Sequence, residues 1–398
     1  MWNTVKLGDV CSVFTDGDWI ETKDQSSEGI RLIQTGNVKT GAFAERKDKA
    51  RYISEKTFMR LNCTEVKEGD ILVSRLPEPV GRACVIPKLK EKAITAVDCT
   101  VIRTKESVLP TYLNYYMQSP QYFSAVQEKV TGATRQRISR KNLGEVLVTL
   151  PPLAKQQRIV AKLDAAFAKI DSAIKLVEAK QANAEKLKAS LLAASLTSND
   201  ALCKTVKLGD VCKIVNGGTP KSNVKMYWEG DIQWLTPKDM GKIDGKYVDL
   251  TERQITKDGL NNSSAKLVPE NSVILSCRAP IGHVFINTID MSFNQGCKGL
   301  VPTAEIITEY LYYFLFSSKQ LLNDLGTGTT FKEISGKTLA NVELLLPPLA
   351  EQQCIVAKLN DAFAEIDTVF ATTALAKENY IALKSIILAQ ELNSSEAA

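Results

Sequence analysis

One histidine, His283, stands in the whole sequence, so a histidine-based catalytic triad and an H-x-x-x-H metal site are both excluded. The nine cysteines, at 11, 63, 84, 99, 203, 212, 277, 297 and 354, form no C-x-x-C pair and are odd in number. Several lie in apolar runs such as VILSC ending at Cys277, and they read as small buried thiols rather than zinc ligands or disulfides. No run approaches the eighteen or so apolar residues that a membrane span needs, and the N-terminus lacks the basic start and apolar core of a signal peptide. The expectation is a cytoplasmic protein with no membrane contact.

Nucleotide and methyl-transfer signatures are missing too. Ser335-Gly336-Lys337-Thr338 ends like a phosphate-binding loop, but Phe331 stands where its first glycine belongs. Gly326-Thr327-Gly328 begins a G-x-G whose third glycine is again Phe331. The two LPPL segments, at Leu150 and Leu346, have the prolines of an amino-methyltransferase tetrad without its polar and aromatic residues. Paired acids such as Asp16 and Asp18 read as solvated turn residues. No catalytic residue, metal or cofactor is expected.

What the sequence has is a repeat. TVKLGDVC occurs at Thr4–Cys11 and, letter for letter, at Thr205–Cys212. LPPLAKQQRIVAKLDAAFAKID at Leu150–Asp171 returns as LPPLAEQQCIVAKLNDAFAEID at Leu346–Asp367. Fainter echoes join EGDILVSR to SVILSCR, YLNYYMQS to YLYYFLFS, and TGATRQRIS (Thr131–Ser139) to TGTTFKEIS (Thr327–Ser335). Each half is alike at its ends and divergent in its middle. Two copies of so long a unit make a pseudo-dimer in one chain, not a solenoid.

Within each half, short β-type runs (Gly29–Ile33, Asp70–Val73, Ala83–Ile86, Cys99–Arg103) are punctuated by Gly, Pro and Asp and interrupted by one helix, Pro110–Gln127, with its partner at Ile306–Leu325. A long helix follows. It opens at Pro151-Pro152, has neither Gly nor Pro from Leu153 to Leu196, and carries a stripe through Ile159, Leu163, Phe167, Ile170, Ile174, Val177, Ala184, Leu187 and Leu191. The second copy runs through Ile355, Leu359, Phe363, Ile366, Phe370, Tyr380, Leu383 and Ile387. Two such stripes are best buried against each other. Because the linker Thr197–Lys204 is too short to carry the chain back along a helix of about 65 Å, the pairing is expected to be antiparallel. The fold class is therefore α+β: two globular domains separated by an antiparallel two-helix coiled coil, a pseudo-twofold tandem duplication with a dumbbell outline. Its segments are residues 1–150, 151–198, 199–346 and 347–398.

Charge is uneven. The net +5 divides into +9 over residues 1–198 and −4 over residues 199–398. If DNA is the partner, its cations must be focused on particular loops. Thr131–Lys141 is the best candidate, with Thr134, Arg135, Arg137, Arg140 and Lys141 and no acid. Its twin holds Thr330 and Lys332 but also Glu333. Arg75 and Arg82 flank a proline loop, paralleled by Arg278 and His283; Arg278 is one of only two arginines in the second half. Thr35, Asn37 and Lys39 are matched to Thr236, Lys238 and Asp239. Trp228 and Trp234 read as core residues.

Together these features resemble the specificity subunits of type I restriction-modification systems, over essentially the whole chain. GGTPKSNVKMYWEGDIQWLTPKDM (Gly217–Met240) is similar to the opening signature of that family's recognition domains, DGDWIE (Asp16–Glu21) to a variant of it, and NQGCKGLVP (Asn294–Pro302) and GTGTTFKEIS to later ones. The resemblance adds Thr219, Lys221 and Lys298 to the candidate DNA contacts. Lys155 stands where the family has an acid, as at Glu351, and Cys354 replaces the basic residue seen at Arg158. The resemblance implies two target-recognition domains joined by conserved spacer helices, each reading half of a bipartite, asymmetric sequence in double-stranded DNA. It also implies two methyltransferase subunits as partners, restriction/translocase subunits reached through the complex, and DNA methylation as the outcome. Two other readings stay open: a coiled-coil scaffold joining two proteins, which predicts no salt-dependent DNA affinity, and a DNA-modifying enzyme with an unmarked carboxylate site, which turnover with S-adenosylmethionine would reveal.

Overall fold

The computed structural model describes residues 2–197, 202–328 and 332–393. By contact the chain divides into two compact units, Met1–Val177 with Leu375–Ala398, and Glu178–Ala374. Each unit holds one α+β head together with parts of both long helices. No helix among the described residues is long and apolar enough to cross a membrane.

In the first unit, strands Cys11–Asp16, Cys99–Thr104, Ile71–Ser74 and Ala83–Val85 form an antiparallel sheet in that order. A second sheet orders Gln25–Ser26, Tyr52–Ile53, Ile30–Ile33 and Ala93–Thr95, its last pair parallel. Strand Ile71–Ser74 is buried on both faces. Successive side chains point to opposite faces of a strand, so Ile71 and Val73 enter the core beneath the helices while Leu72 enters the core against the second sheet. That double burial is why the strand reads as an unbroken apolar run rather than an alternation. The second unit repeats the plan: Val273 and Leu275 enter one core and Ile274 the other. Its five-stranded sheet runs Cys212–Asn216, Cys297–Pro302, Val273–Ser276, Val284–Asn287, Tyr247–Val248.

The repeated end sequences meet in space. Asn3–Lys6 pairs antiparallel with Leu147–Leu150, the strand that leads into the first long helix. Lys204–Lys207 pairs in the matching register with Glu343–Leu346. Each head thus begins and ends at one place, the root of its helix. There the first glutamine of the QQ pair is fully buried. Gln156 accepts the Leu109 N–H at 2.8 Å and donates to the carbonyls of Ser107 and Pro151 at 3.0 and 2.9 Å. Gln352 repeats this with Ile307 at 2.8 Å, Glu305 at 3.0 Å and Pro347 at 2.9 Å. The following residues, Gln157 and Gln353, are exposed.

Both long helices are continuous, Leu153–Leu196 over 44 residues and Leu349–Asn393 over 45. They run antiparallel: in the first unit Lys162 meets Glu391 at 3.0 Å and Asp171 meets Lys384. In the second, Lys188 meets Asp367 at 2.9 Å. Lys188 also lies over the Phe363 ring at 4.4 Å and Lys384 over Phe167 at 5.0 Å. The repeated F-x-x-x-D is thereby explained as a register lock, a cation held by a ring face and a carboxylate one turn apart.

Three sequence expectations need correction. The helix expected over Pro110–Gln127 is two, Pro110–Tyr116 and Pro120–Gln127, because Pro120 cannot continue a helix and Ser119 caps a new one through the Tyr122 N–H. Its partner likewise divides into Thr308–Ser317 and Lys319–Leu325. The apolar seam is narrower than the stripe. Leu187 is 52% and Leu383 40% exposed, while Leu192 and Leu388 are buried. A straight helix drifts from a 3.5-residue repeat, and Phe167 and Phe363 turn toward the heads, edge-on to Tyr115 at 5.6 Å and Tyr313 at 5.4 Å. Finally, the nine thiols are free, but Cys354 is exposed and Cys11 and Cys203 are only half-buried. The deep ones are inert; burial pushes the Cys84 and Cys277 thiols up to about 12.

Gln156→Ala should destabilise the protein by about 1–3 kcal/mol for each buried group it orphans, and Gln157→Ala by less than about 0.5 kcal/mol. Equilibrium urea denaturation of the two variants measures the contrast between neighbouring glutamines; equal losses would remove the buried glutamine from its structural role.

Candidate nucleic-acid interface

Residues Thr131–Arg137 are all exposed. The loop closes on itself through Thr131 and Arg137, whose N–H groups each donate to the other's carbonyl at 2.9 Å, and Gly132 turns it with φ +98°. Ile138, fully buried, nails its base down. Arg135 and Arg137 have no carboxylate partner among the described residues, and Thr134 and Lys141 are also exposed. Small residues at the tip, flanked by unpaired guanidinium groups, suit a phosphate backbone approaching closely.

Behind this loop the fold assembles a cluster that the sequence did not reveal. Asp16 ends its strand with Oδ1 3.4 Å from Arg75 Nε and Oδ2 3.9 Å from Arg140 Nε, and Thr100 donates to Oδ1 at 3.3 Å. Arg140 also reaches the Phe14 carbonyl at 3.3 Å. Asp16 is therefore an organiser of cations and not a solvated turn residue. Asp18 is not one either; it accepts the Thr64 N–H at 3.1 Å and burial raises its pKa. Arg75 is buried, donates to the Val97 carbonyl at 2.5 Å, and its own carbonyl accepts the Ile138 N–H at 3.2 Å. It is the support on which the loop rests.

Two expectations fail on burial and hydrogen-bond capacity. The Arg82 side chain is buried and donates to the carbonyls of Val38 at 2.8 Å, Thr35 at 3.1 Å, Leu76 at 2.9 Å, Pro77 at 2.6 Å and Pro79 at 3.1 Å. Every arm of the guanidinium is spent on shaping its own loop, which leaves nothing for DNA. Asn37 is buried and capped between the Gln34 N–H at 3.0 Å and the Ala44 carbonyl at 2.9 Å. Thr35 is half-buried, and Lys39 beside them is exposed and free to meet solvent.

In the second head the acid of the twin loop, Glu333, is paired with an arginine from another loop. Arg278 Nε lies 2.7 Å from Glu333 Oε2. Lys332 is exposed, and Thr330 lies outside the described residues. Hydrogen bonding also corrects the pairing of the heads by one residue. Ile334 donates to the Cys277 carbonyl at 3.0 Å as Ile138 does to Arg75, so the counterpart of Arg75 is Cys277, not Arg278. His283 does match Arg82, since Ser276 and Ser74 donate to their carbonyls at 2.8 and 2.9 Å. Burial, and then Lys319 nearby, hold the His283 imidazole below its usual range, which disfavours its charged form. Thr236 is half-buried and bound to Asp239 as a helix cap, the counterpart of Gln34 with Asn37. Lys238 is exposed and lies 3.3 Å from Glu252. Thr219 and Lys221 sit on an exposed loop, with Thr219 hydrogen-bonded to Gln295. Lys298 is buried at the end of its strand, opposite Asn216, where the first head has Thr100 opposite Asp16. The same frame thus carries different chemistry in its two copies.

Sequence reasoning passed over Arg253, the other arginine of the second half. Its guanidinium carbon lies 3.6 Å from the centroid of Trp228. Its rarity was the available signal.

The double substitution Arg135→Ala/Arg137→Ala should leave stability within about 0.5 kcal/mol and lower the salt dependence of DNA affinity by about two phosphate contacts. Arg82→Ala should instead cost about 3 kcal/mol or more in stability. Urea denaturation and fluorescence anisotropy over a range of salt concentrations separate the two; an unchanged salt slope would turn the loop away from DNA.

Comparison with known proteins gives one consistent result. The family model of the type I restriction modification DNA specificity domain matches residues 1–181 and 202–374. The type I restriction enzyme MjaIX specificity subunit of Methanocaldococcus jannaschii is 38% identical over 157 residues, 39% of this chain and 36% of that protein. The EcoR124I/EcoR124II specificity subunit of Escherichia coli is 34% identical over 160 residues, 38% of this chain and 39% of that protein. The chain thus aligns with less than half the length of these two relatives. Among solved structures, a chain from a study of complex assembly and conformational transition of the type I R-M system has a TM-score of 0.80 at 22% identity, covering 99% of this chain and 98% of that one. The HsdS subunit of Thermoanaerobacter tengcongensis has a TM-score of 0.58 at 20% identity, covering 99% and 97%. These two likenesses are of fold.

Proposed function

The chain belongs to the type I restriction-modification DNA specificity family, and from that membership we propose that it is the sequence-reading subunit of a restriction-modification complex. Each recognition domain, residues 1–150 and 199–346, reads one half of a bipartite and asymmetric target in double-stranded DNA. The spacer helices, 151–198 and 347–398, set the gap between the half-sites and dock two methyltransferase subunits, through which restriction subunits join. The chain performs no chemistry itself.

The observation that carries this reading is the contrast between frame and surface. Both heads are rooted by the same strand pair and the same buried glutamine. Yet the surfaces differ: the first head's exposed Arg135 and Arg137 have no carboxylate partner among the described residues, whereas Arg278 of the second is paired with Glu333, and beneath the surface Arg75 stands against Cys277 and Thr100 against Lys298. Two readers of different base sequences require that divergence; a scaffold joining two different proteins shares it but predicts no salt-dependent affinity for DNA. Exposed apolar residues on the second long helix, Leu375, Ile381 and Ile386, supply chemistry suited to subunit docking.

Assembled with methyltransferase subunits, the chain should direct adenine methylation to a two-part sequence, and alone it should methylate nothing. Inserting four residues after Ala179 adds about 6 Å and close to one helical turn. Methylation of a target library with varied gaps should then shift to a longer gap with both half-sites unchanged. An active insertion variant that keeps the parental gap would remove the helices from that role.

A further inference from the structure

In the second head, Trp228 and Trp234 are buried and packed edge to face, with ring centroids 5.0 Å apart and planes at 82°. Both indole N–H groups are anchored to one loop. Trp228 donates to the Lys221 carbonyl at 3.2 Å and Trp234 to the Gly218 carbonyl at 3.0 Å. The pair therefore forms a fixed wall beneath the GGTPK segment, and on it lies Arg253. Its guanidinium carbon is 3.6 Å from the Trp228 centroid and 5.5 Å from that of Trp234. The Arg253 backbone is also held, since its carbonyl accepts the Trp234 N–H at 3.2 Å and the Thr251 hydroxyl at 2.6 Å.

The arginine is exposed and has no carboxylate partner among the described residues. The adjacent Glu252 is occupied by Lys238 at 3.3 Å and Lys242 at 3.1 Å. A guanidinium held by an aromatic ring keeps its N–H groups for a partner, and fixing the side chain in advance reduces the entropy lost on contact. Amide and hydroxyl groups lie beside it: the Thr251 N–H donates to Gln233 at 2.9 Å, and Gln254 to the Thr251 carbonyl at 2.9 Å. Such company suits a base edge more than a phosphate.

We propose that Arg253, pre-organised on Trp228, reads a guanine through O6 and N7 and is a specificity-determining residue of the second head. The first head has an exposed arginine at the same place without the wall. Arg51 accepts the Leu32 N–H at 2.8 Å as Arg253 accepts that of Trp234, but Leu32 stands where Trp234 does, and Gln25, opposite Ile53, where Trp228 stands opposite Ile255. The platform, not the arginine, distinguishes the two heads.

The inference rests on the reading of each head as a half-site reader, and the experiment separates the two. Complexes of methyltransferase subunits with the wild-type chain, Arg253→Ala or Arg253→Lys methylate a randomised bipartite library, and products are sequenced. Arg253→Ala should lose about tenfold or more of its discrimination at one G·C position of one half-site and none in the other. Arg253→Lys keeps the charge and the ring contact but lacks the planar fork, so it should restore overall affinity without restoring that discrimination. Unchanged discrimination in Arg253→Ala, a uniform loss across all sequences, or full rescue by lysine would each overturn the assignment of Arg253 and leave half-site reading intact. A wild-type complex that selects no second half-site would overturn both.

Discussion

The geometry of this protein depends on a buried glutamine at the root of each long helix. A side-chain amide sealed from water must find partners for its oxygen and nitrogen or cost several kcal/mol. Gln156 finds them in the chain before the helix Pro110–Tyr116 and in the carbonyl of Pro151, and Gln352 finds the matching set. The amide is fixed to two stretches of head backbone at once, so the helix leaves the head in one direction only. Antiparallel strand pairing at the same root brings the head's first and last strands together. A head bounded in this way can change its middle without disturbing its mounting, which is what the divergent centres of the two halves show.

The long helices solve a different problem. Their apolar seam is thin, and it would tolerate sliding by a turn if burial alone specified it. The lysine, phenylalanine and aspartate set at Lys384, Phe167 and Asp171, and again at Lys188, Phe363 and Asp367, adds directional contacts that a slipped pairing would lose. The same phenylalanines touch the heads through Tyr115 and Tyr313. One side chain therefore couples helix register to helix-head packing.

The heads divide their arginines by environment. Arg82 is consumed by its own loop, Arg75 and Arg140 gather on Asp16, Arg278 is neutralised by Glu333, and Arg135, Arg137 and Arg253 remain available. Residue type is the same throughout; what differs is the supply of carbonyls, carboxylates and rings within reach. An arginine surrounded by acceptors shapes protein, and one lying on a ring or a glycine turn is left to shape binding.

Much of the architecture was legible in the sequence because it is carried by local or repeated signals. Uninterrupted helix formers bounded by Pro-Pro set the helix Leu153–Leu196, short apolar runs set the strands, and near-identical junctions declared the duplication. The break at Ser119-Pro120 was legible too, had the proline been weighed against the apolar pattern. The site was less legible. Whether an arginine points to DNA depends on partners distant in sequence: Arg82 finds Thr35 and Val38, Arg75 finds Asp16, and Arg253 finds Trp228. The correspondence between the heads was also misread by one residue at Arg75 and Arg278, since loops of unequal length align only through their hydrogen bonds. Sequence by itself determined the duplicated plan, because periodicity and junction chemistry act over a few neighbouring residues. Tertiary structure alone decided which cations are free, because that depends on side chains brought together only when the sheets close.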